Sequence, residues 1–160
     1  MKTTFMVSLL FILGFCAPMS RADDHFTPAP TMVGHWTGTA DIVVNWTRQR
    51  MLNFDFVIAR DGAVTGRIGE ATLVNGRLAT NRGWFGRSFH LATDYIIVGD
   101  LAGEILAAEH IHREPVKVPL NWSEDHFHGG LHTSGSTFGG RDKMILSAAR
   151  LHLRRKDPAP

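Results

Sequence analysis

The feature that most constrains the fold of this chain is an alternation of apolar and polar side chains in residues 52–80. Phe54, Phe56 and Ile58 recur at every second position, and Val64, Gly66 and Ile68 do the same a few residues later. A period of two is typical of a strand that buries one face and exposes the other. The segment therefore predicts strands rather than helices.

Three dipeptides divide this segment into strands. Asp61-Gly62 and Gly69-Glu70 predict turns, because Gly and Asp tolerate the backbone angles that tight turns require. Asn75-Gly76 is the strongest short hairpin signal in the segment, and it predicts that the strand beginning at Ala71 ends at Val74. Together these signals predict a β-meander.

The rest of the chain adds strands to this meander. In the opening strand every second residue is predicted to face the core, and these residues are Trp36, Gly38, Ala40, Ile42 and Val44. Further strands are predicted at residues 95–101, 105–112, 116–122, 126–133 and 143–154, and residues 134–140 (SGSTFGG) predict a flexible loop. In the last element Ile145, Ser147, Ala149, Leu151 and Leu153 share one parity, which favours a strand, whereas its alanine and leucine content would also suit a helix. The predicted fold is all-β, a single antiparallel meander closed into a small barrel or sandwich of about eight strands.

The chain divides into four segments. Residues 1–22 predict a secretory signal peptide, because Lys2 precedes a short apolar run (residues 5–16) and small residues stand at the expected cleavage site. Residues 23–32, with Pro28 and Pro30, predict an extended lead-in. Residues 33–156 predict the β-domain and residues 157–160 a tail. The predicted location is therefore the periplasm or the extracellular space, with no integral membrane span after cleavage.

Cleavage after Ala22 would change the net charge and the cysteine content of the chain. The 17 basic residues lose Lys2 and Arg21, whereas all 15 acidic residues remain, so the formal charge falls to zero. This argues against a nucleic-acid partner. Cys16 is the one cysteine of the chain and leaves with the signal, which excludes disulfides, thiolate ligands and a cysteine nucleophile.

Two short motifs resemble those of a known family. Gly34-His35-Trp36 is similar to the Gly-x-Trp start of lipocalin-like (calycin) barrels, and Thr93-Asp94-Tyr95 resembles a later lipocalin signature. The resemblance implies a closed barrel that holds a small apolar ligand. It does not identify the ligand.

Aromatic and basic residues crowd together in residues 81–91, which predict a loop or distorted strand at one end of the sheet. Aromatic faces beside guanidinium groups suit anionic or aromatic ligands and sugars. The alternative is that Trp84 and Phe89 plug the barrel end while the arginines are solvated. The predicted ligand-binding residues are Trp36, Arg82, Trp84, Phe85, Arg87, Phe89 and Tyr95.

Nine histidines are the compositional oddity of the chain. His110 and His112 form one His-x-His pair on a predicted strand, a spacing that suits zinc or copper, and His132 would lie near them in a meander. These three residues are the predicted metal ligands. His126, His128 and His132 are instead expected on the solvent face if Phe127 and Leu131 face inward.

Three functional hypotheses stay open. The first is a non-enzymatic binding protein for a small apolar or amphipathic ligand, with no cofactor. The second is a metal carrier or metal-dependent enzyme that uses zinc or copper at the three histidines. The third is an envelope assembly protein with a protein partner. No catalytic residues are predicted, because no pattern in the sequence singles out a nucleophile or an acid–base pair.

Overall fold

A closed β-barrel is the architecture of this chain, in a computed structural model that describes residues 26–81, 93–107, 111–113, 115–137 and 143–156. At residues 111–113, 136–137 and 143–144 the description covers the backbone alone. The predicted signal peptide, the segment from Arg82 to Phe89 and His110 lie outside the described residues.

One 3-10 turn (Pro30–Met32) and nine strands make up the regular structure of the described residues. In chain order the strands are β1 (Gly34–Ile42), β2 (Met51–Ile58), β3 (Ala63–Ile68), β4 (Ala71–Thr80), β5 (Tyr95–Ala102), β6 (Ile111–Arg113), β7 (Val116–Ser123), β8 (His126–Thr137) and β9 (Lys143–Arg155). None of the described helices is both long and apolar enough to cross a membrane.

Every strand pairs antiparallel with its neighbours, and the sheet closes because β9 pairs with both β8 and β1. The closed ring contains eight strands, in the order β1, β2, β3, β4, β5, β7, β8, β9. The short β6 lies in line with β7 and pairs with the last residues of β8. The all-β prediction is confirmed, and of its two architectures the barrel is the one that forms.

The two ends of the barrel are named by the first strand. At the entry end, where β1 begins, Gly34 lies beside Ile58 and Trp36 lies beside Arg155. At the far end, where β1 finishes, Asp41 lies beside Met51. Because β2 has eight residues, the two ends are separated by about 25 Å at 3.3 Å per residue.

Alternating residues of all eight strands fill the barrel interior as one continuous core. The predicted inward faces of β1 and β2 are confirmed, since Trp36, Phe54 and Phe56 are fully buried. Phe127 joins them from β8. Large aromatic side chains thus occupy the middle of the barrel, and burying each one contributes up to about 3 kcal/mol.

One predicted turn is wrong because the chain bulges there instead of reversing direction. Asn75 and Gly76 do not form a hairpin but lie inside β4, which shifts register against both β3 and β5 near this point. Asn75 has φ of 53°, the left-handed conformation that a hairpin turn would also have required. The preference of Asn75 for the left-handed conformation therefore accommodates an extra residue within β4 and does not form a turn.

A second bulge changes the parity of the buried residues within β9. Arg150 has φ of 55°, and the pairing of β9 with β1 shifts register at this position. Leu146 and Ala148 therefore face inward before the bulge, and Leu151 and Leu153 face inward after it. Ile145, which shares the parity of Leu151 and Leu153 in the sequence, is 47% exposed.

Two further segments differ from prediction. Residues 134–137, predicted as part of a loop, continue β8 and pair with β6 and β9. The predicted strand at residues 105–112 is strand only at residues 111–113 in the part that is described. Ile105 and Leu106 instead bury their side chains at the far end, where the Ile105 carbonyl accepts a hydrogen bond from the Glu70 amide at 3.0 Å. The apolar character that suggested a strand serves to close this end of the barrel.

Candidate functional site

The lead-in at residues 26–33 covers the entry end of the barrel. The indole N–H of Trp36 donates to the Met32 carbonyl at 2.9 Å, and the Arg155 guanidinium donates to the Thr31 carbonyl at 2.6 Å. The same guanidinium lies 5.1 Å from the centre of the Trp36 ring, within the range of a cation–π contact. Residues of β1 and β9 therefore both attach the lead-in to the barrel.

Aromatic rings support this cover from below. Trp36 packs edge-on against Trp122 and Phe127, with ring centres 5.6 and 5.0 Å apart. Tyr95 lies between the lead-in and the core, because its ring contacts Phe26 at 5.6 Å and Phe127 at 6.4 Å. Such tilted and edge-to-face contacts are the preferred geometries of aromatic pairs.

A groove open to solvent separates part of the lead-in from the turn between β2 and β3. Its volume is about 470 Å³, and its lining residues are Thr27, Pro28, Pro30, Val33 and Arg60. The lining is mostly apolar, and among the described residues that form it Arg60 is the one that carries a charge. Gly62 lets the lead-in approach, because a Cβ at this position (φ 82°) would lie only 2.7 Å from the Phe26 carbonyl oxygen. The groove is thus a direct product of how the lead-in docks.

The predicted ligand-binding residues fall into three groups in the structure. Trp36 is fully buried in the core, and Tyr95 is half-buried beside Phe26. The other five, Arg82, Trp84, Phe85, Arg87 and Phe89, lie outside the described residues. The residues that flank them meet at the entry end, where the Asn81 amide donates to the Asp94 carbonyl at 3.0 Å. The connection that contains the five therefore leaves and rejoins the barrel at the end that carries the groove.

The predicted metal ligands are not seen together in the described structure. His132 is exposed on the outer face of β8, where its Nδ1 lies 2.8 Å from the Ser147 hydroxyl. The backbone of His112 pairs with Ser136 in β6, and His110 lies outside the described residues. Among the side chains that are described, no three or more His, Cys, Asp or Glu residues are arranged to hold a metal ion. Zinc or copper binding by His110, His112 and His132 stays a prediction.

His126 and His128, expected on the solvent face from the sequence, lie on the outer surface, and His152 joins them there. The ring of His126 is 5.9 Å from that of His128 and 6.4 Å from that of His152, between ring centres. His126 also contacts the Asp125 carboxylate at 3.1 Å. The Nδ1 atom of His128 is buried and has no hydrogen-bond partner among the described residues. His152 could not be placed from the sequence, because its outward direction depends on the bulge at Arg150.

Comparison with known proteins adds no assignment to this geometry. No family model, no curated protein and no solved structure matches the chain. The closed antiparallel barrel is consistent with the lipocalin-like resemblance of Gly34-His35-Trp36.

Proposed function

We propose that this protein is an exported, non-enzymatic binding protein for a small amphipathic ligand that carries an acidic group. The observation that supports this proposal is the groove at the entry end. A volume of about 470 Å³ is within the range of about 300–1,000 Å³ typical of small-molecule sites. A β-barrel framework is compatible with this role, because its strands anchor the lead-in and the turn that line the groove.

The lining of the groove argues for the chemistry of the ligand. Pro28, Pro30 and Val33 offer apolar surface that would remove a hydrocarbon segment from water. Arg60 is exposed at the turn between β2 and β3, and its planar guanidinium matches the two oxygens of a carboxylate or the oxygens of a phosphate. A ligand with an apolar body and an anionic head would use both parts of the lining.

The predicted signal peptide supports the extracytoplasmic location of this binding function. A chain without disulfides needs a well-packed core in that environment, and the barrel interior meets this need with a continuous apolar cluster. The predicted loop residues Arg82, Trp84, Phe85, Arg87 and Phe89 would extend the same site, since their segment joins the barrel at the entry end.

Calorimetric titration of the full chain with dodecanoate and with dodecanol tests the proposal. We expect saturable binding of both, with dodecanoate the tighter ligand. Arg60→Gln should weaken dodecanoate binding by about 0.5–1 kcal/mol, the usual contribution of a solvent-exposed ion pair, and leave dodecanol binding unchanged. Arg154→Gln is the matched control, because Arg154 is an exposed arginine of β9 that does not line the groove. Equal losses in the two variants, or no saturable binding, would refute the proposal.

A further inference from the structure

Exposed apolar side chains gather at the far end of the barrel, away from the groove. Val43 is 60% exposed, Met51 and Ile145 are each 47% exposed, and Trp46 is 37% exposed. In the described part of the chain only two other large apolar residues, Val57 and Val74, are as open to solvent. Val43, Trp46, Met51 and Ile145 are called the far-end patch below. Such a concentration on one loop and its neighbouring strand is typical of an interaction surface.

Hydrogen bonds hold the loop between β1 and β2 in a defined shape. The Ile42 amide donates to the Arg50 carbonyl at 2.8 Å, and the Val43 amide donates to the Ser147 carbonyl at 3.0 Å. The indole N–H of Trp46 donates to the Ile145 carbonyl at 2.9 Å. Because this bond satisfies the polar atom of the indole, Trp46 can present its ring to an apolar medium without leaving a donor unpaired.

The loop is also positively charged. Arg48 and Arg50 are both exposed, and residues 42–51 contain no acidic residue. Asp41, which precedes the loop, is already bound by the Arg150 guanidinium. The apolar side chains are therefore accompanied by two cationic groups, a combination that suits a surface with an apolar interior and an anionic face.

The charge beside the patch favours a lipid surface over a second protein as its occupant. A large side chain fully open to solvent offers roughly 200 Å², so the four partly exposed residues of the patch present about 400 Å². A stable protein interface needs about 800 Å² from each partner, of which somewhat more than half is non-polar, so the area alone would suit either occupant. Arg48 and Arg50 decide for an anionic lipid surface, because a few inserted side chains and a few cationic contacts already give reversible binding there.

We infer that the far-end patch docks this protein on an anionic lipid surface, with Trp46, Met51, Val43 and Ile145 entering the interface and Arg48 and Arg50 contacting lipid phosphates. This inference is independent of the ligand proposal, because the groove lies at the opposite end of the barrel. Docking at the far end leaves the groove facing the solvent.

Quenching of tryptophan fluorescence by brominated phosphatidylcholine tests the inference on the full chain. The vesicles contain phosphatidylglycerol beside the brominated lipid, and phosphatidylcholine-only vesicles serve as the uncharged reference. The chain has four tryptophans, so the measurement uses a Trp84→Phe background. In that background we expect quenching that Trp46→Phe largely removes, since Trp36 is buried inside the barrel and Trp122 packs against it at the entry end. The predicted signal peptide is common to both chains, so the difference between them reports on Trp46 itself.

Vesicle sedimentation tests the charged part of the inference. Arg48→Gln and Arg50→Gln should each weaken partitioning into anionic vesicles about fivefold, from roughly 1 kcal/mol per arginine near such a surface. Arg154→Gln should leave partitioning unchanged. Met51→Ser should weaken it and Val57→Ser should not, because Val57 lies at the other end of β2. Circular dichroism confirms that each variant is folded.

Three results would overturn the inference. The first is an absence of binding to anionic vesicles, and the second is quenching that Trp46→Phe leaves unaltered. The third is a dimer in vesicle-free solution that Met51→Ser dissociates, which would assign the patch to a second copy of this chain.

Discussion

At the scale of single residues, the buried Nδ1 atom of His128 is the least satisfied group in the described structure. A neutral imidazole carries one donor and one acceptor, and the atom that faces the protein here has no partner. A buried polar atom that has lost its hydrogen bond costs about 1–3 kcal/mol. The residue therefore lowers the free energy of unfolding unless a bound species satisfies it.

This leads to a prediction for His128→Phe in the presence of a chelator. Phenylalanine keeps the ring and removes the orphaned nitrogen, so we expect the free energy of unfolding to rise by about 1 kcal/mol. Equilibrium denaturation in urea measures the change. His126→Phe is the matched control and should bring no gain, because His126 has a partner in Asp125. A loss of stability in the His128 variant would instead indicate that Nδ1 is bound in solution.

At the scale of elements, the sequence predicted strands well where the alternation runs without interruption. The faces of β1, β2 and β7 follow directly from their periodicity, because each residue added to a regular strand reverses the side-chain direction. Bulges interrupt this alternation in β4 and β9, and no local sequence pattern predicts where they occur. Asn75-Gly76 illustrates the problem, since a left-handed residue suits both a hairpin and a bulge, and only the pairing with β5 decides between them.

The bulge at Arg150 leads to a prediction about β9. A β-branched residue strongly disfavours the positive φ of this position, whereas glycine adopts it without strain. We expect Arg150→Val to lower the free energy of unfolding by about 2 kcal/mol more than Arg150→Gly does. Both variants lose the ion pair with Asp41, so the comparison between them cancels that loss.

Thermal and urea denaturation of the two Arg150 variants measure the difference, and Asp41→Asn gives the contribution of the ion pair alone. Equal stability of the valine and glycine variants would show that the bulge does not persist in solution. Loss of the bulge would also turn Leu151 and Leu153, or Leu146 and Ala148, out of the core.

At the scale of the whole molecule, closure joins β1 to β9 across more than 100 residues of chain. Local sequence patterns carry no information about such a contact, which explains why the sequence left barrel and sandwich as alternatives. The groove was missed for a related reason. The composition of residues 23–32 is typical of a linker. This segment lines the groove only because Pro28 packs near Gly62 in the folded chain.

Closure also leads to a prediction about folding kinetics. The pairing of β1 with β2 is local. The pairing of β1 with β9 has the largest loop-closure entropy cost, so it should form late in folding. Leu52 in β2 and Leu153 in β9 are both fully buried. We expect Leu52→Ala mainly to slow folding and Leu153→Ala mainly to speed unfolding, each destabilising by about 2–5 kcal/mol. Stopped-flow measurements across a range of urea concentrations separate the two effects, and the reverse assignment would contradict late closure.

The lead-in that covers the entry end has a mechanical consequence. It forms one wall of the groove, and bonds from Trp36 and Arg155 attach it to the barrel. Under the proposed function, a ligand in the groove contacts the lead-in and the barrel at once, so its binding and the attachment of the lead-in are thermodynamically linked. Tension applied to the chain upstream of Phe26 would pull this wall away and lower the affinity. A bound ligand would in turn stabilise the attached lead-in against this force. Force applied through residues upstream of Phe26 would therefore promote dissociation of the ligand.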